Sequence, residues 1–355
     1  MKTTLTYKAS RKLREEPVFL ELSDAISDIT SVSANGKVFP ASPVKGGIIA
    51  VLSADEDEEL ELSLGTEAYV GCSADVHAED CTVSLMSGDH CFATYAYGSE
   101  FPKPHLGPIT DDHGNSFTRC ERMHSEHPHQ RSLIIAIGDV NGVDCWNEPK
   151  DTCGHVRNEE IYDTVSTSAY AAFTAKNLWT DHDGHPLMTE DTRYTVYAQS
   201  EVCRFLDVSI TFTADHGEVV FGSTKEAGPL GIRLCDGLRA DTGSGVLCNA
   251  LGGVGESECW GKEADWCDYH GKLDNIGEMG VTVFDHPSNE RYPTAWHIRG
   301  YGLFAANNLY FKGGYTVPAG ESVTYRYRIM FRRSEMTADE ISARYKEYSE
   351  SAAML

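Results

Sequence analysis

Two histidines and an arginine stand at alternate positions in the segment His127-Pro-His129-Gln-Arg131. If this segment is extended, all three side chains project to the same side, because side-chain direction alternates along a strand. Two imidazoles placed in this way can bind one divalent ion or one substrate, and the arginine can bind an anionic oxygen. The same spacing also suits a hydrogen-bonded polar loop without a ligand, so both interpretations stay open.

A second segment, Trp296-His297-Ile-Arg299, follows two prolines and repeats the pairing of histidine with arginine on one face. An indole ring can pack on the C–H groups of a sugar, while His and Arg can hydrogen-bond its hydroxyl or carbonyl oxygens. We therefore expect the two segments to belong to one polar site. For Trp296 the alternative is a place in the core, whereas Arg299 should rarely be buried without a partner.

Titratable residues between these segments could supply further chemistry. The segment 260–269 crowds aromatic and charged residues into a short loop, namely Trp260, Lys262, Asp265, Trp266 and Asp268. Farther upstream, Glu226 leads into an apolar run and is a candidate general base or metal ligand. A surface ion pair with Lys225 is the alternative for Glu226, and such a pair contributes little to stability.

Charge and hydropathy exclude several classes of partner. The 30 Lys and Arg against 54 Asp and Glu give a formal net charge of −24, which repels phosphate backbones and anionic lipid surfaces. We expect no nucleic-acid partner. No stretch approaches the roughly 20 apolar residues of a membrane helix, and no apolar run follows the first basic residues. We therefore expect no membrane association and a cytoplasmic location.

Signatures of several enzyme classes are missing from the sequence. The 11 cysteines are odd in number and include no CxxC pair, so we expect reduced thiols rather than disulfides or a cysteine-based metal site. No glycine-rich phosphate loop, GxSxG elbow or HExxH motif is found. We therefore expect no nucleotide cofactor, and the only cofactor that the residues suggest is a divalent metal ion held by His127, His129 and His297.

Short runs with period-two alternation dominate the chain and predict antiparallel strands. In residues 205–212, for example, every second side chain is apolar. Only the tail from Thr337, with Glu340 three residues on, predicts a helix. These patterns predict an all-β fold: a large antiparallel β-sandwich of the supersandwich type, with an N-terminal β unit over residues 1–95, a main sandwich over 96–355 that carries the site, and a short C-terminal helix.

Seven segments in order resemble a bacterial family labelled PmoA-like, whose name of methane oxygenase does not suit a chain without a membrane span. They are Phe101-Pro-Lys-Pro-His-Leu-Gly-Pro108, His127-Pro-His-Gln-Arg131, Val140-Asn-Gly-Val-Asp-Cys-Trp146, Trp260-Gly-Lys-Glu-Ala-Asp-Trp266, Phe284-Asp-His-Pro-Ser-Asn289, Trp296-His-Ile-Arg299 and Tyr301-Gly-Leu-Phe-Ala-Ala-Asn307. Members of that family commonly carry a third histidine where this chain has Gln130. The resemblance implies an all-β sandwich among bacterial sugar-catabolism proteins, and its segments add His105 and His286 as candidate substrate-binding residues.

The leading hypothesis is an enzyme that cleaves a glycoside, by elimination from a sugar that carries a ketone at C3. The catalytic candidates are His127, His129, His297, Glu226 and Asp265. The substrate-binding candidates are Arg131, Arg299, Trp296, Lys262, Trp266, His105 and His286. The ketone would acidify the C2 proton, a histidine would abstract it, and an arginine would bind the oxyanion.

Two alternatives stay open. One is an ordinary glycoside hydrolase that uses two carboxylates from Glu226, Asp265 and Asp268. The other is a non-catalytic carbohydrate-binding protein. In each case the partner is a small-molecule sugar or glycoside, and the elimination hypothesis adds a functional link to a sugar oxidoreductase that makes the ketone. The sequence leaves the oligomeric state open, a homo-oligomer included.

Overall fold

Three antiparallel sheets of six, eight and eight strands form most of the molecule. The computed structural model describes residues 4–22, 27–67, 69, 71–120, 126–149, 151–198 and 202–351. Among these residues, no helix combines the length and the apolar composition that crossing a bilayer requires. The prediction of a large all-β sandwich with a short C-terminal helix is confirmed.

The first sheet is built from the N-terminal strands alone. They are β1 Thr4–Lys8, β2 Leu13–Glu21, β3 Ser31–Ala34, β4 Lys37–Val44, β5 Gly47–Ala54 and β6 Glu59–Gly65. Their order in the sheet is β1-β6-β3-β4-β5-β2. Alternate residues of β5 face two different cores. Ile48 and Leu52 pack into the core of the N-terminal strands, whereas Ile49 and Val51 pack into the core of the main sandwich.

The second sheet contains strands from distant parts of the chain. They are β7 Cys72–His77, β8 Thr82–Ser87, β9 His90–Ala96, β10 His105–Ile109, β11 Leu133–Ile137, β17 Ala227–Arg233, β21 Trp296–Arg299 and β22 Leu303–Ala306. The strand order is β21-β22-β17-β11-β10-β9-β8-β7. One end of the sheet therefore brings together strands β11, β17, β22 and β21.

The third sheet lies against the second. Its strands are β12 His155–Ser166, β13 Tyr170–Thr180, β14 Pro186–Tyr197, β15 Cys203–Thr213, β18 Val246–Asn249, β19 Trp266–Leu273, β20 Gly277–Asp285 and β24 Ser322–Arg332. They follow the order β12-β13-β14-β15-β24-β20-β19-β18. The remaining elements are β16 Val219–Phe221, β23 Tyr315–Val317, a 3-10 turn Asp236–Leu238, and helices α1 Glu256–Cys259, α2 Asn308–Phe311 and α3 Ala338–Glu350.

A single apolar core fills the space between the second and third sheets. The Phe92 ring of β9 lies edge-on to Phe331 of β24, with ring centroids 5.6 Å apart. On β15, the alternation that predicted a strand is confirmed, because Leu206 and Val208 are buried while Asp207 between them is partly exposed. Each buried side chain of this size contributes about 1.5–3 kcal/mol, so this core accounts for most of the stability.

The predicted domain boundary at residue 95 falls inside the second sheet. Tyr95 and Ala96 of β9 pair with Leu106 and His105 of β10, so strands β7 to β9 belong to the main sandwich. Sheet membership changes earlier, between the end of β6 at Gly65 and the start of β7. The change of composition after residue 98 marks a loop between paired strands, which a compositional argument does not distinguish from a domain boundary.

Helix α3 begins at the predicted position. The Thr337 side chain accepts a hydrogen bond from the Glu340 backbone, and the Glu340 carboxylate accepts one from the Thr337 backbone, which is a capping box. The helix packs Tyr345 and Tyr348 on Phe284 of β20. It also connects the third sheet to the first, because Arg344 Nη2 donates to Glu16 Oε1 at 2.7 Å.

We expect Thr337→Ala to lower the free energy of unfolding by about 1 kcal/mol, because the cap of α3 loses its acceptor. Urea denaturation followed by circular dichroism measures the change. Ser349→Ala is the matched control, since the Ser349 hydroxyl donates only to the Lys346 carbonyl of the same helix. Equal stability of the two variants would contradict a stabilising role of the capping box.

Candidate functional site

The two segments that the sequence singled out lie at the same end of the second sheet. The first segment is the loop that leads into β11, and the second contains β21. Residues paired across neighbouring strands share a face of the sheet. Two adjacent rows on one face are therefore His297, Ala305 and Gly231, and Arg299, Leu303 and Arg233.

Tyr301, in the turn between β21 and β22, connects the two segments. Its ring stacks on the His127 imidazole, with centroids 4.9 Å apart and planes 10° apart. The guanidinium carbons of Arg233 and Arg299 lie 4.7 and 5.6 Å from the ring centroid. Gln130 shares a side-chain hydrogen bond with Tyr301, and its Oε1 accepts from Arg233 Nη1 at 2.9 Å. One phenol ring thus gathers groups from both segments.

His129 extends the site toward Trp146. The His129 ring lies 5.9 Å from that of His127 and 6.2 Å from the Trp146 indole, both edge to face. Trp146 in turn covers Gly231, where an added Cβ would lie 3.1 Å from the indole Cη2. Glycine at 231 therefore makes room for the Trp146 indole on the sheet.

Helix α1 forms the other side of the site. The Trp260 ring at its end lies 6.3 Å from the His297 ring. Glu256 pairs with Arg299, with 2.9 Å between Oε1 and Nε, and its Oε2 accepts from the Gly300 backbone at 2.6 Å. These contacts fix the Arg299 side chain and the turn that carries Tyr301.

The three histidines of the site are neutral near pH 7. Burial lowers the pKa of His127, and it lowers the pKa of His129 and of His297 to about 4, with neighbouring cations adding to the effect. The buried atoms His127 Nδ1, His129 Nε2 and His297 Nδ1 have no hydrogen-bond partner among the described residues. Each ring can therefore accept a proton, share a hydrogen bond or ligate a metal.

Hydrogen-bond donors predominate among the remaining groups. The Arg233 side chain is fully buried, and within the described part of the chain its Nε and Nη2 have no hydrogen-bond partner; neither do the indole nitrogens of Trp146 and Trp260. Among the described residues, the carboxylate nearest to Arg233 is that of Glu126, which lies 3.7 Å from Arg233 Nη2. These groups can only donate, and each unsatisfied buried donor costs about 1–3 kcal/mol. The site therefore suits a ligand rich in oxygen acceptors.

Glu226 is the predicted catalytic carboxylate whose charge acts on residues of this site. Burial lowers the pKa of His127 and raises the pKa of Tyr301, and the negative charge of Glu226 raises both. Its carboxylate lies 3.7 Å from Lys225 Nζ, and about a third of the side chain is exposed. Glu226 is therefore accessible, and its charge acts on the imidazole that stacks on Tyr301.

The other two predicted carboxylates lie on the third sheet. Asp265, which precedes β19, accepts a hydrogen bond from the Tyr292 hydroxyl at 2.6 Å, beside helix α3. Asp268 of β19 is fully buried and paired with Arg332 at 2.6 Å. The segment 260–269 runs from α1 into the third sheet, so nearness in sequence to Trp260 does not bring these groups into the site.

Three predicted substrate-binding residues pack elsewhere. Trp296 faces the core, and its indole donates to the Ala264 carbonyl at 2.8 Å. Trp266 donates to Ser342 Oγ of α3 at 3.2 Å. The His286 ring lies 5.2 Å from that of Tyr348, also on α3. For Trp296 the core alternative is the correct one, because its neighbour His297 takes the opposite face of the strand.

Three further candidates lie near the histidine loop or strand β21 but do not contact Tyr301 among the described contacts. Arg131 makes two hydrogen bonds to the Glu148 carboxylate, at 2.6 and 3.1 Å. His105 lies 4.7 Å, edge to face, from the Phe101 ring, over which Arg131 also lies. Lys262 has an exposed side chain and contributes its carbonyl to the pairing with β21. Arg131 therefore holds the histidine loop in place.

The expected metal trio is not gathered around one point. Groups of three His, Cys, Asp or Glu side chains whose donor atoms all lie within 4.8 Å of one another occur twice in the described ranges, and neither contains His127, His129 or His297. Strands β17 and β22 separate His297 from the loop that carries the other two. A metal held by these three residues stays a prediction.

Several residues of the site were missed in the sequence. Tyr301 lies in one of the segments that resemble the PmoA-like family, but its phenol does not titrate near neutral pH. Arg233 ends an apolar run, and its charge is the only feature that distinguishes it there. Glu256 and Trp260 lie in a loop whose other charged residues seemed the better candidates. The signal that could have found Arg233 is a cation at the end of a buried strand, which needs a partner.

Glu148 neutralises two buried cations, Arg131 and Lys103, whose Nζ lies 2.8 Å from Glu148 Oε1. We expect Glu148→Gln to lower the free energy of unfolding by about 3 kcal/mol, because both cations lose their counter-charge in a buried setting. Urea denaturation measures the loss, with the exposed Glu160 mutated to Gln as the control. A loss no larger than that of the control would show that the pair does not hold the loop.

Comparison with known proteins identifies a family. The model of a "Family of unknown function (DUF6807)" matches residues 82–346, and no curated protein matches the chain. A glycoside hydrolase family 97 variant from Pseudoalteromonas sp. strain K8 is 9% identical over 70% of this chain and 35% of its own, with a TM-score of 0.36, so the chain spans about a third of that structure. Galactose 1-epimerase from Lactobacillus acidophilus NCFM is 10% identical over 91% of this chain and 100% of its own, with a TM-score of 0.32. The family match covers most of the chain, which therefore belongs to the DUF6807 family.

Proposed function

We propose that this protein is an enzyme that cleaves a glycoside by elimination, acting on a sugar that carries a ketone at C3. The observation that supports the proposal is the contact of the neutral His127 imidazole and of the guanidinium groups of Arg233 and Arg299 with the Tyr301 ring. Elimination requires a base and an oxyanion-binding cation, and both are available in this group.

The substrate would bind against the polar groups that surround Tyr301. Buried donors on Arg233, Trp146 and Trp260 lack partners among the described residues, and the hydroxyl and carbonyl oxygens of a sugar are suitable acceptors. Aromatic rings at the rim could pack on the C–H face of the sugar. These features support a carbohydrate as the ligand class.

The reaction would begin at the C2 proton, which the C3 ketone acidifies. The neutral His127 imidazole accepts this proton, and the electron pair of the C2–H bond forms an enolate whose oxygen is stabilised by Arg299 or Arg233. The enolate re-forms the ketone, a C1–C2 double bond forms, and the C1–O bond breaks. The His127 imidazolium gives the proton that it accepted to the leaving oxygen. Addition of water across the double bond then yields the free 3-keto sugar.

A hydrolase with two carboxylates has less support. The two carboxyl groups of such an enzyme lie roughly 5–10 Å apart on either side of the glycosidic bond. Of the three proposed carboxylates only Glu226 has a charge that acts on Tyr301, since Asp265 contacts Tyr292 and Asp268 pairs with Arg332. In the elimination reaction, the C3 ketone of the substrate has to be made by a separate oxidation, so a sugar oxidoreductase would act before this enzyme.

A direct test compares glycosides with and without a ketone at C3, across a panel with different sugars at the cleaved position. We expect cleavage of the oxidised substrates only, accompanied by exchange of the C2 proton with D2O, because elimination requires an acidic C2–H bond. Mass spectrometry and NMR measure both. Equal rates on oxidised and unoxidised substrates would rule out elimination. Binding to both without any cleavage would favour a carbohydrate-binding protein.

A second test removes the proposed base. We expect His127→Gln to lower kcat by about 10²–10⁴-fold while ligand binding stays measurable, because the amide can hydrogen-bond but cannot accept the proton. The exposed His182 mutated to Gln is the control. In the wild type, kcat/KM should fall as the pH drops below the ordinary imidazole pKa of about 6.5, since the lowered pKa of His127 keeps the base neutral above it. An unchanged kcat would exclude His127 as the base.

A further inference from the structure

A second group of potential ligands lies on the third sheet, away from Tyr301. Cys248 of β18 pairs directly with Asp268 of β19, and His270 follows two residues later, so the three side chains share one face. Asp268 Oδ2 lies 3.9 Å from Cys248 Sγ and 2.6 Å from His270 Nδ1. All three donor atoms fall within 4.8 Å of one another. From this geometry we infer a binding site for Zn²⁺.

The central carboxylate is held in place from behind. Asp268 Oδ1 accepts hydrogen bonds from Arg332 Nη1 and Thr282 Oγ1, both at 2.6 Å, and Arg332 Nη2 reaches Oδ2 at 2.9 Å. Gly280 makes room for this arginine, because a Cβ there would lie 2.4 Å from the Arg332 Cζ. Hydrogen bonds of this kind orient ligating carboxylates in metal sites, and a bound ion would replace the hydrogen bond between Asp268 Oδ2 and His270 Nδ1.

The site is open to solvent on one side. The His270 side chain is 38% exposed and borders a cleft of about 460 Å³ whose walls include the carboxylates of Glu278, Glu335 and Glu340. An acidic cleft attracts cations. Zn²⁺ adds two positive charges beside Arg332, and the proton that Cys248 releases on binding offsets one of them. Water can take the fourth coordination position.

The donor set selects the kind of ion. One thiolate, one imidazole and one carboxylate suit a borderline ion with tetrahedral coordination, and three protein ligands with one open position are typical of zinc. Ca²⁺ and Mg²⁺ prefer oxygen ligands alone. The second described group, Asp181, Asp183 and His185, lacks a thiol and lies on an exposed turn, which makes it a suitable control.

The experiment uses the full chain after removal of metals with a chelator. Titration with Zn²⁺ by calorimetry in two buffers of different ionisation enthalpy should give one equivalent bound and about one proton released. Titration with Co²⁺ should give the near-ultraviolet absorption of a cobalt–thiolate bond. Cys248→Ser should abolish that absorption, and His270→Gln should weaken zinc binding at least tenfold. His185→Ala and His129→Ala should leave both readouts unchanged.

The metal-free variants must first show the same thermal unfolding as the metal-free wild type, so that loss of binding is not loss of fold. Zinc binding that survives both Cys248→Ser and His270→Gln would overturn the inference. So would Co²⁺ binding without the thiolate absorption, or no binding by the wild type at micromolar zinc. Loss of the metal in His129→Ala would instead assign it to the histidine loop. None of these readouts depends on glycoside cleavage.

Discussion

The Tyr301 ring contacts the His127 imidazole and the guanidinium groups of Arg233 and Arg299, and the geometry of the candidate site depends on these contacts. Each cation–π contact contributes about 0.5–2 kcal/mol, more where the ring is shielded from water. Gln130 adds a hydrogen bond to Tyr301 and another to Arg233. An amide can donate and accept at once, so this residue orients both partners although it cannot serve as a third imidazole ligand.

Much of the fold could be predicted because it rests on local patterns. Alternation along β15 and the capping box at Thr337 depend on neighbours a few residues away, and both are confirmed. The limit of the first sheet could not be predicted in the same way. Strands β7 to β9 alternate like the strands before them, and only their pairing with β10 assigns them to the main sandwich. Period-two alternation tells which face is buried, not which strand lies alongside.

The same limit applies to the candidate site. His127 and Arg299 were singled out by spacing, and both contact the Tyr301 ring, although the His127 segment forms a turn and not an extended strand. Trp266 and Asp265 were expected beside them, yet the segment that bears them passes into the third sheet. The pair Cys248 and Asp268 illustrates the converse case. No CxxC spacing announced it, since the register between β18 and β19 alone brings the two side chains together.

Strand β5 has a consequence for how the molecule unfolds. Its two faces serve two cores, with Ile48 in one and Ile49 in the other. If the first sheet opened locally, Ile49 and Val51 would lose the pairing that holds β5 in place. Apolar surface of the main sandwich would then be exposed to water. Local opening of that sheet is therefore costly, and the two layers should lose their structure in one cooperative transition, although each has hydrogen-bonded strands of its own.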